Sequence, residues 1–199
     1  MKYLIIIISI FYSTIFNAQN KIIYLDDDLN EIKAKAYAKS NDNNYFLEIE
    51  DNDTLFKIKI KHFKAGKLSK TEHLNLKEEL SKLSGQTISD KSKIIINYYH
   101  GKDKCNSSGN PKLAGERFIS FSEKVNNKRN TVQLFMYKSS EDLLKYGQKI
   151  NWVEDKNKKV SELFFPLDYP CGSAVIIYRS GRYRSFRGEY DLNRILEKI

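Results

Sequence analysis

YPCGSAVIIYRSGRYRSFRGEYDLNRILEKI, residues 169 to 199, is the stretch whose reading decides the fold. Ala174 to Tyr178 are consecutive apolar residues rich in β-branched side chains, the pattern of a short strand buried on both faces. Ser180-Gly181 breaks the run, and Gly181 can take the positive φ that a tight hairpin needs. Tyr183 to Phe186 return as a more polar strand, which predicts a position at the edge of a sheet. Gly188 ends it. Asp191 is placed to cap a helix, in which Leu192, Ile195, Leu196 and Ile199 recur at i, i+3, i+4 and i+7 as one apolar face.

Working back from Tyr169, the same two periods alternate. Ile94 to Ile96 with Tyr98 and Tyr99 predict a second buried strand, which leaves through the loop His100 to Lys104 to reach Cys105. Pro111 suits the first turn of a helix. Ala114, Phe118, Phe121 and Val125 at i, i+4, i+7 and i+11 extend that helix over 111–126. Thr131 to Tyr137 is the next strand, completing a β-α-β unit. Ser140, followed by Glu141 and Asp142 at the positive end of the dipole, predicts a helix to about Ile150. Residues 151–159 are polar and lysine-rich and are expected to be exposed, and Val160 to Phe165 form a short apolar segment.

Further back the pattern becomes that of a small β-rich region, 20–70. Lys21 to Leu25 is a strand, Asp26 to Asp28 a turn, and 31–40 a short helix or a strand, with the Ala content and the Ile32, Ala36 spacing favouring helix. Tyr45 to Glu50 and Leu55 to Phe63 alternate apolar and polar residues and are joined by a polar turn as a hairpin, which Ala65-Gly66 closes. Thr71 to Ser84, with Leu76, Leu80 and Leu83 in its stripe and Gly85 at its end, is a helix connecting (71–89) to the C-terminal domain, 90–199.

Pro170, the strand at 174–178, Gly181, Gly188 and the helix from 192 stand in the order found in the last third of a thioredoxin-like domain. With the strand, Cys-bearing loop, helix and strand of 93–137, the resemblance covers residues 90–199. It implies an α/β fold, a thioredoxin-like mixed sheet flanked by helices, and the 20–70 region resembles the small β-rich lead-in of some exported members. It also implies a cis-proline ahead of the central strand, at Pro170 or at Pro166, as a structural loop.

Residues 1–19 have the pattern of a secretory signal peptide: Lys2, an apolar run from Leu4 to Phe16, and Ala18 before the expected cut. That run is short of the roughly 20 residues a membrane span needs, so cleavage is favoured over a retained anchor. No later segment has spanning length. The expected location is periplasmic or secreted, where disulfides persist. The formal net charge of +9 is spread along the chain rather than blocked, which favours background composition over a polyanion site. Nucleic acid is not expected as a partner, since no matching motif occurs. The partner expected is a protein of the cell envelope.

The chemistry of the resembling family needs a thiolate at a helix N-terminus and a second thiol three residues on. Here the stretch reads Cys105-Asn106-Ser107-Ser108, like monothiol members, with Lys104 where a tryptophan is common. The proline loop of this fold lies against the first cysteine, so Cys171 is expected beside Cys105. Two roles follow: a structural Cys105–Cys171 disulfide supporting a non-catalytic binding or structural function, or a redox pair in which Cys105 attacks and Cys171 resolves. The first is favoured because the motif is incomplete. His62, His73 and His100 lack metal-ligand spacing, and Asp26 to Asp28 lack the alternating ligands of a calcium loop, so neither metal nor cofactor is expected. His100 is a weaker candidate for a base near Cys105. Lys57, Lys59 and Lys61 read as a solvated face. Arg179, Arg182, Arg184 and Arg187 read as a charged edge that blocks strand pairing rather than as an anion site.

Overall fold

A computed structural model describes residues 21–107 and 110–199. The expected signal peptide and Ser108 lie outside the described residues. The chain divides into two compact units. One comprises residues 21–40 and 46–59, the other residues 41–45 and 60–199.

The smaller unit carries β1 (Lys21–Leu25), α1 (Ala34–Ala38), β2 (Asn44–Asp51) and β3 (Thr54–Lys61). β3 is central, pairing in parallel with β1 and lying beside β2. The acidic run is a local turn. The Asp26 carboxylate accepts from the backbone N–H groups of Asp28 and Asn30, each at 2.9 Å, which is how an Asx residue replaces backbone pairing in a turn. The lysine face is engaged rather than free. Lys57 pairs with Glu48 at 2.8 Å, and Lys59 donates to the carbonyls of Ala36 and Lys39.

The larger unit is organised by one six-stranded sheet. Its strands are β4 (Phe63–Lys67), β5 (Lys93–Tyr99), β6 (Thr131–Tyr137), β7 (Trp152–Glu154), β8 (Ser173–Ile177) and β9 (Arg182–Arg187), in the order β4-β9-β8-β5-β6-β7. β5 pairs in parallel with β6 and antiparallel with β8, and β8 pairs antiparallel with β9. The four inner strands thus have the order and directions of a thioredoxin-like mixed sheet. The parallel pair is joined by α3 (Pro111–Asn126), as a crossover requires. α3 starts with Pro111 at its first position, and Asn110 accepts from Leu113 N–H as the cap. Along β5 the side chains alternate faces. Ile95 packs with Phe121 and Val125 of α3, Phe186 of β9 and Ile195 of α5 (Leu192–Leu196). Tyr98, of opposite parity, meets Phe165 just after α4 (Lys159–Phe164), with ring centroids 5.2 Å apart. Helices therefore flank both faces.

α2 (Lys70–Ser84) begins with a capping box that the sequence reading missed. Ser69 accepts from Glu72 N–H while the Glu72 carboxylate accepts from Ser69 N–H, and Gly85 closes the helix in the left-handed conformation.

Several expectations fail, each for a local reason. Residues 63–67 do not close a hairpin but form β4, which pairs with β9 from Phe63↔Phe186 to Lys67↔Arg182. This strand brings residues 60–70, grouped by their alternation with the N-terminal region, into the larger unit. It also covers β9, so β9 is not an edge. The helix expected over 140–150 shrinks to a 3-10 turn at Leu143–Tyr146, because Asp142 adopts φ 60° and Gly147 φ 92°. Residues 151–159 are not uniformly exposed. Trp152–Glu154 extends the sheet beside β6, and Asp155 is buried, its carboxylate accepting from Val160 N–H, Ser161 N–H and the Tyr98 hydroxyl.

Gly115 is required for packing rather than for backbone freedom. A Cβ there would lie 2.1 Å from the Tyr146 carbonyl oxygen, so the 3-10 turn seats directly on α3. Alanine normally favours a helix by ~1 kcal/mol over glycine. Gly115→Ala is nevertheless expected to destabilise the chain, by about 1–3 kcal/mol as overpacking does. A thermal melt in which Gly115→Ala is unchanged or more stable would contradict this contact.

Candidate functional site

β5 and β8 run antiparallel as neighbours, so the C-terminal end of β5 lies beside the start of β8. The loop after β5 carries Cys105, and the loop before β8 carries Cys171. The two residues are joined as a disulfide with Cα atoms 5.1 Å apart across 66 residues, inside the range a bridge needs.

Cys105 lies in a turn over 104–107, six residues before the first residue of α3 (111 − 105). Asp103 braces this turn. Its carboxylate accepts from Asn106 N–H at 2.6 Å, from the Asn106 side-chain amide at 2.9 Å and from Cys171 N–H at 3.0 Å. Asn106 donates in turn to the Gly101 carbonyl at 2.7 Å, and the Lys145 ammonium donates to the Asn106 carbonyl at 2.7 Å. Both cysteine-bearing loops are thus tied to one carboxylate as well as to each other.

No cis peptide occurs among the described residues, so the cis assignment at Pro170 or Pro166 is overturned. The chain turns into β8 by another means. Cys171 takes φ 65° and Gly172 φ 93°, two successive left-handed residues doing the redirection. Such a φ is unusual for a non-glycine residue, and the bridge and the Asp103 hydrogen bond both act on it.

Behind the bridge lies a buried polar cluster. His100 is 6% exposed, and its Nε2 lies 2.8 Å from the Ser173 hydroxyl. That hydroxyl also accepts from Gly188 N–H at 3.4 Å. Nδ1 faces Asp168 at 3.7 Å, and Asp168 accepts from the Lys138 ammonium at 2.6 and 2.8 Å. The Ser173 hydroxyl accepts from Gly188 N–H, so it donates to Nε2 of a neutral imidazole; the Nδ1 proton then has no acceptor within hydrogen-bond distance among the described residues. Burial pushes the His100 pKa down, outweighing the Asp168 charge. The Asp168 carboxyl is held at about 2 by His100 and, against some burial, by Lys138; of the two, the ammonium sits at hydrogen-bond distance and is the firmer hold. Ser173, His100 and Asp168 stand in the sequence of a hydrolytic triad, but Ser173 is 0% exposed and no substrate carbonyl reaches it. The Nε2 atom of His100 is engaged with the Ser173 hydroxyl. No cluster of metal-ligating residues occurs among the described residues.

An open groove of about 1010 Å³ runs from the bridge between α3 and the segment leading into α5, with Cys105, Cys171, Phe118, Tyr146 and Tyr190 among its walls. From its wall residue Tyr190 runs a chain of side-chain hydrogen bonds. Ser122 donates to Gln133, Gln133 to Asn97 and Asn97 to the Tyr190 hydroxyl, each at 2.8 Å. The chain fixes α3, β6, β5 and the α5 approach relative to one another. None of its members had a sequence signal, because each lies on a different element.

No family model matches the chain, and no curated protein matches it. Solved structures that it resembles include the exposed lipoprotein thioredoxin of Streptococcus pneumoniae, at 10% identity over 78% of this chain and 100% of that one, with a TM-score of 0.39. Another is the C-terminal domain of a protein assigned as a thiol-disulfide oxidoreductase from Bacteroides thetaiotaomicron, at 14% identity over 82% and 97%, with a TM-score of 0.39. A third is a protein assigned as the thiol:disulfide interchange protein DsbE from Chlorobium tepidum, at 10% identity over 80% and 95%, with a TM-score of 0.35. Likenesses of this size carry no chemistry across; the strand order and directions are what make the fold thioredoxin-like.

The buried histidine gives the fold a pH dependence. In the unfolded chain His100 takes up a proton near 6.5, whereas in the folded chain it stays neutral to lower pH. Below about 6.5 the unfolded state therefore binds more protons, and stability falls as pH is lowered. His62 and His73, also depressed first by burial, act in the same direction. Asp168 adds a loss only below about 4, where its unfolded carboxyl begins to protonate. Urea midpoints are expected to drop between pH 7.5 and pH 5, and His100→Gln is expected to flatten that drop without abolishing it. An unchanged slope in His100→Gln would show that the site does not titrate as described.

Proposed function

We propose that this chain is an exported thioredoxin-like protein of the cell envelope with a binding or structural role, in which the Cys105–Cys171 disulfide serves stability rather than turnover. The observation that carries the reading is the place of Cys105. It stands six residues ahead of α3, outside the first turn where a helix dipole lowers a thiol pKa. Its neighbour in the loop is instead the Asp103 carboxylate, bonded to the Cys171 amide, and a negative charge there disfavours a thiolate. Export rests on the N-terminal pattern of residues 1–19. Among the described residues no helix is long and apolar enough to cross a membrane. The groove beside the bridge is where a protein partner in the envelope would sit.

Closing a loop of this length restricts the unfolded chain, with an upper figure of about 4 kcal/mol from chain entropy. Cys105→Ala with Cys171→Ala is expected to lower the free energy of unfolding by up to that amount in a guanidinium titration, and neither form is expected to reduce insulin. The second reading, a thiol–disulfide oxidoreductase, is favoured by one observation: both cysteines line the open groove. In it the Cys105 thiolate attacks a substrate disulfide and expels one thiolate. The Cys171 thiolate then attacks the Cys105 sulfur, freeing the second substrate thiol and closing the bridge, and an external dithiol must reopen it. Insulin reduction by the wild type that is lost in Cys105→Ser, with mixed disulfides trapped in Cys171→Ser, would replace the first reading by the second.

A further inference from the structure

The arginines of the β8–β9 hairpin lose their sequence-based explanation once β4 is seen to cover β9. A strand paired on both sides needs no charges to repel a neighbour. Arg187 turns inward, 3% exposed, with Nε donating to the Phe164 carbonyl and its guanidinium 5.6 Å from the Tyr169 ring centroid. Arg179, Arg182 and Arg184 do not. They are exposed and line a groove of about 1110 Å³. Chain segments far apart in sequence add further cations to the same groove: Lys67 at the end of β4, Lys91 and Lys93 at the start of β5, and Arg129 ahead of β6. No residue lining it is acidic. Among the described residues no ion pair holds any of these arginines or Lys91. Burial, and then the nearby Lys128 charge, push the Lys93 ammonium below its ordinary pKa, as expected where positive charge is crowded and uncompensated.

We propose that this groove binds a strand of acidic polysaccharide. Convergence of like charges from four segments costs self-repulsion and raises the local concentration of anions. The partner is therefore polyanionic. A lipid surface fits poorly, since large exposed apolar side chains such as Leu113 and Leu144 are not in the groove, and membrane seating needs apolar insertion beside the charges. A single-stranded nucleic acid needs free ring faces for base stacking. The two tyrosines here are taken. The Lys93 ammonium sits 5.7 Å from the Tyr178 ring centroid, and Tyr183 packs on Phe164 with centroids 5.0 Å apart. A glycan with repeating carboxylate or sulfate groups asks only for guanidinium and ammonium donors along an open channel. Arginine forks match such oxyanions in a bidentate manner.

The test uses the full chain and a size-defined heparin decasaccharide, titrated calorimetrically at low and physiological salt. Binding is expected, weakening as salt rises. The variant Arg179→Gln, Arg182→Gln, Arg184→Gln is expected to lose roughly tenfold or more in affinity, on the scale of lost charge-assisted contacts. Lys91→Gln with Arg129→Gln, on separate segments, is expected to weaken it in the same direction. A charge-matched control, Lys82→Gln, Lys112→Gln, Lys156→Gln, is expected to lose less than about threefold. Equal losses in groove and control variants, tighter binding to anionic vesicles or to single-stranded DNA of similar length, or no binding at low salt would each overturn the proposal.

Discussion

The antiparallel pairing of β5 with β8 is the constraint on which the rest depends. Both strands are buried on both faces, and Ile94 to Ile96 of β5 pair with Ile177 to Val175 of β8 in register. Because the strands run in opposite directions, the loop that leaves β5 and the loop that enters β8 must emerge at one end of the sheet. Cys105, Asp103, His100, Cys171 and Ser173 are then neighbours by topology before any of their own interactions form. The disulfide and the Asp103 hydrogen bonds reinforce a proximity that the ladder has already imposed. At the other end of the same strands, the β8–β9 turn and the start of β5 gather the cations in the same way.

How much of this was legible depended on whether a signal was local. Pro111 and the apolar stripe of α3 gave that helix its observed limits, and the β-branched runs located β5, β6 and β8. These signals lie within one element and follow from its own periodicity. β4 was missed because Phe63 to Lys67 is short and contains Gly66, which reads as a turn. Only the contact with Tyr183 explains the glycine, since a Cβ there would lie 2.5 Å from that ring. β7 was missed because a three-residue strand has no period to detect. The helix expected after Ser140 had good capping chemistry, and tertiary seating on Gly115 overrode it.

At the site, the identities of the cysteines were legible and their surroundings were not. Asp103 and Asn106 looked like ordinary loop residues, and their role is visible only when Cys171, 68 positions away, presents its amide. The expected cis-proline illustrates the opposite error. Pro170 is present, but the extra residues Cys171 and Gly172 between it and β8 make the bend themselves. The buried pairing of His100 with Ser173 across 73 positions likewise left no trace in either local sequence.

β4 also sets the order in which the sheet can be finished. Its partner β9 lies some 120 positions away, with the Ser185 hydroxyl reaching the Lys64 carbonyl across a separation of 121. Closing so long a loop costs entropy that local contacts do not return early. On a ribosome, Phe63 to Lys67 emerges long before Arg182 to Arg187 exists. Until then β4 is an unpaired strand with open backbone donors and acceptors, and it carries Lys64 and Lys67 among its five residues. Charges on a waiting strand are the usual guard against pairing with the wrong chain, so the two lysines of β4 also protect it while the sheet is being assembled.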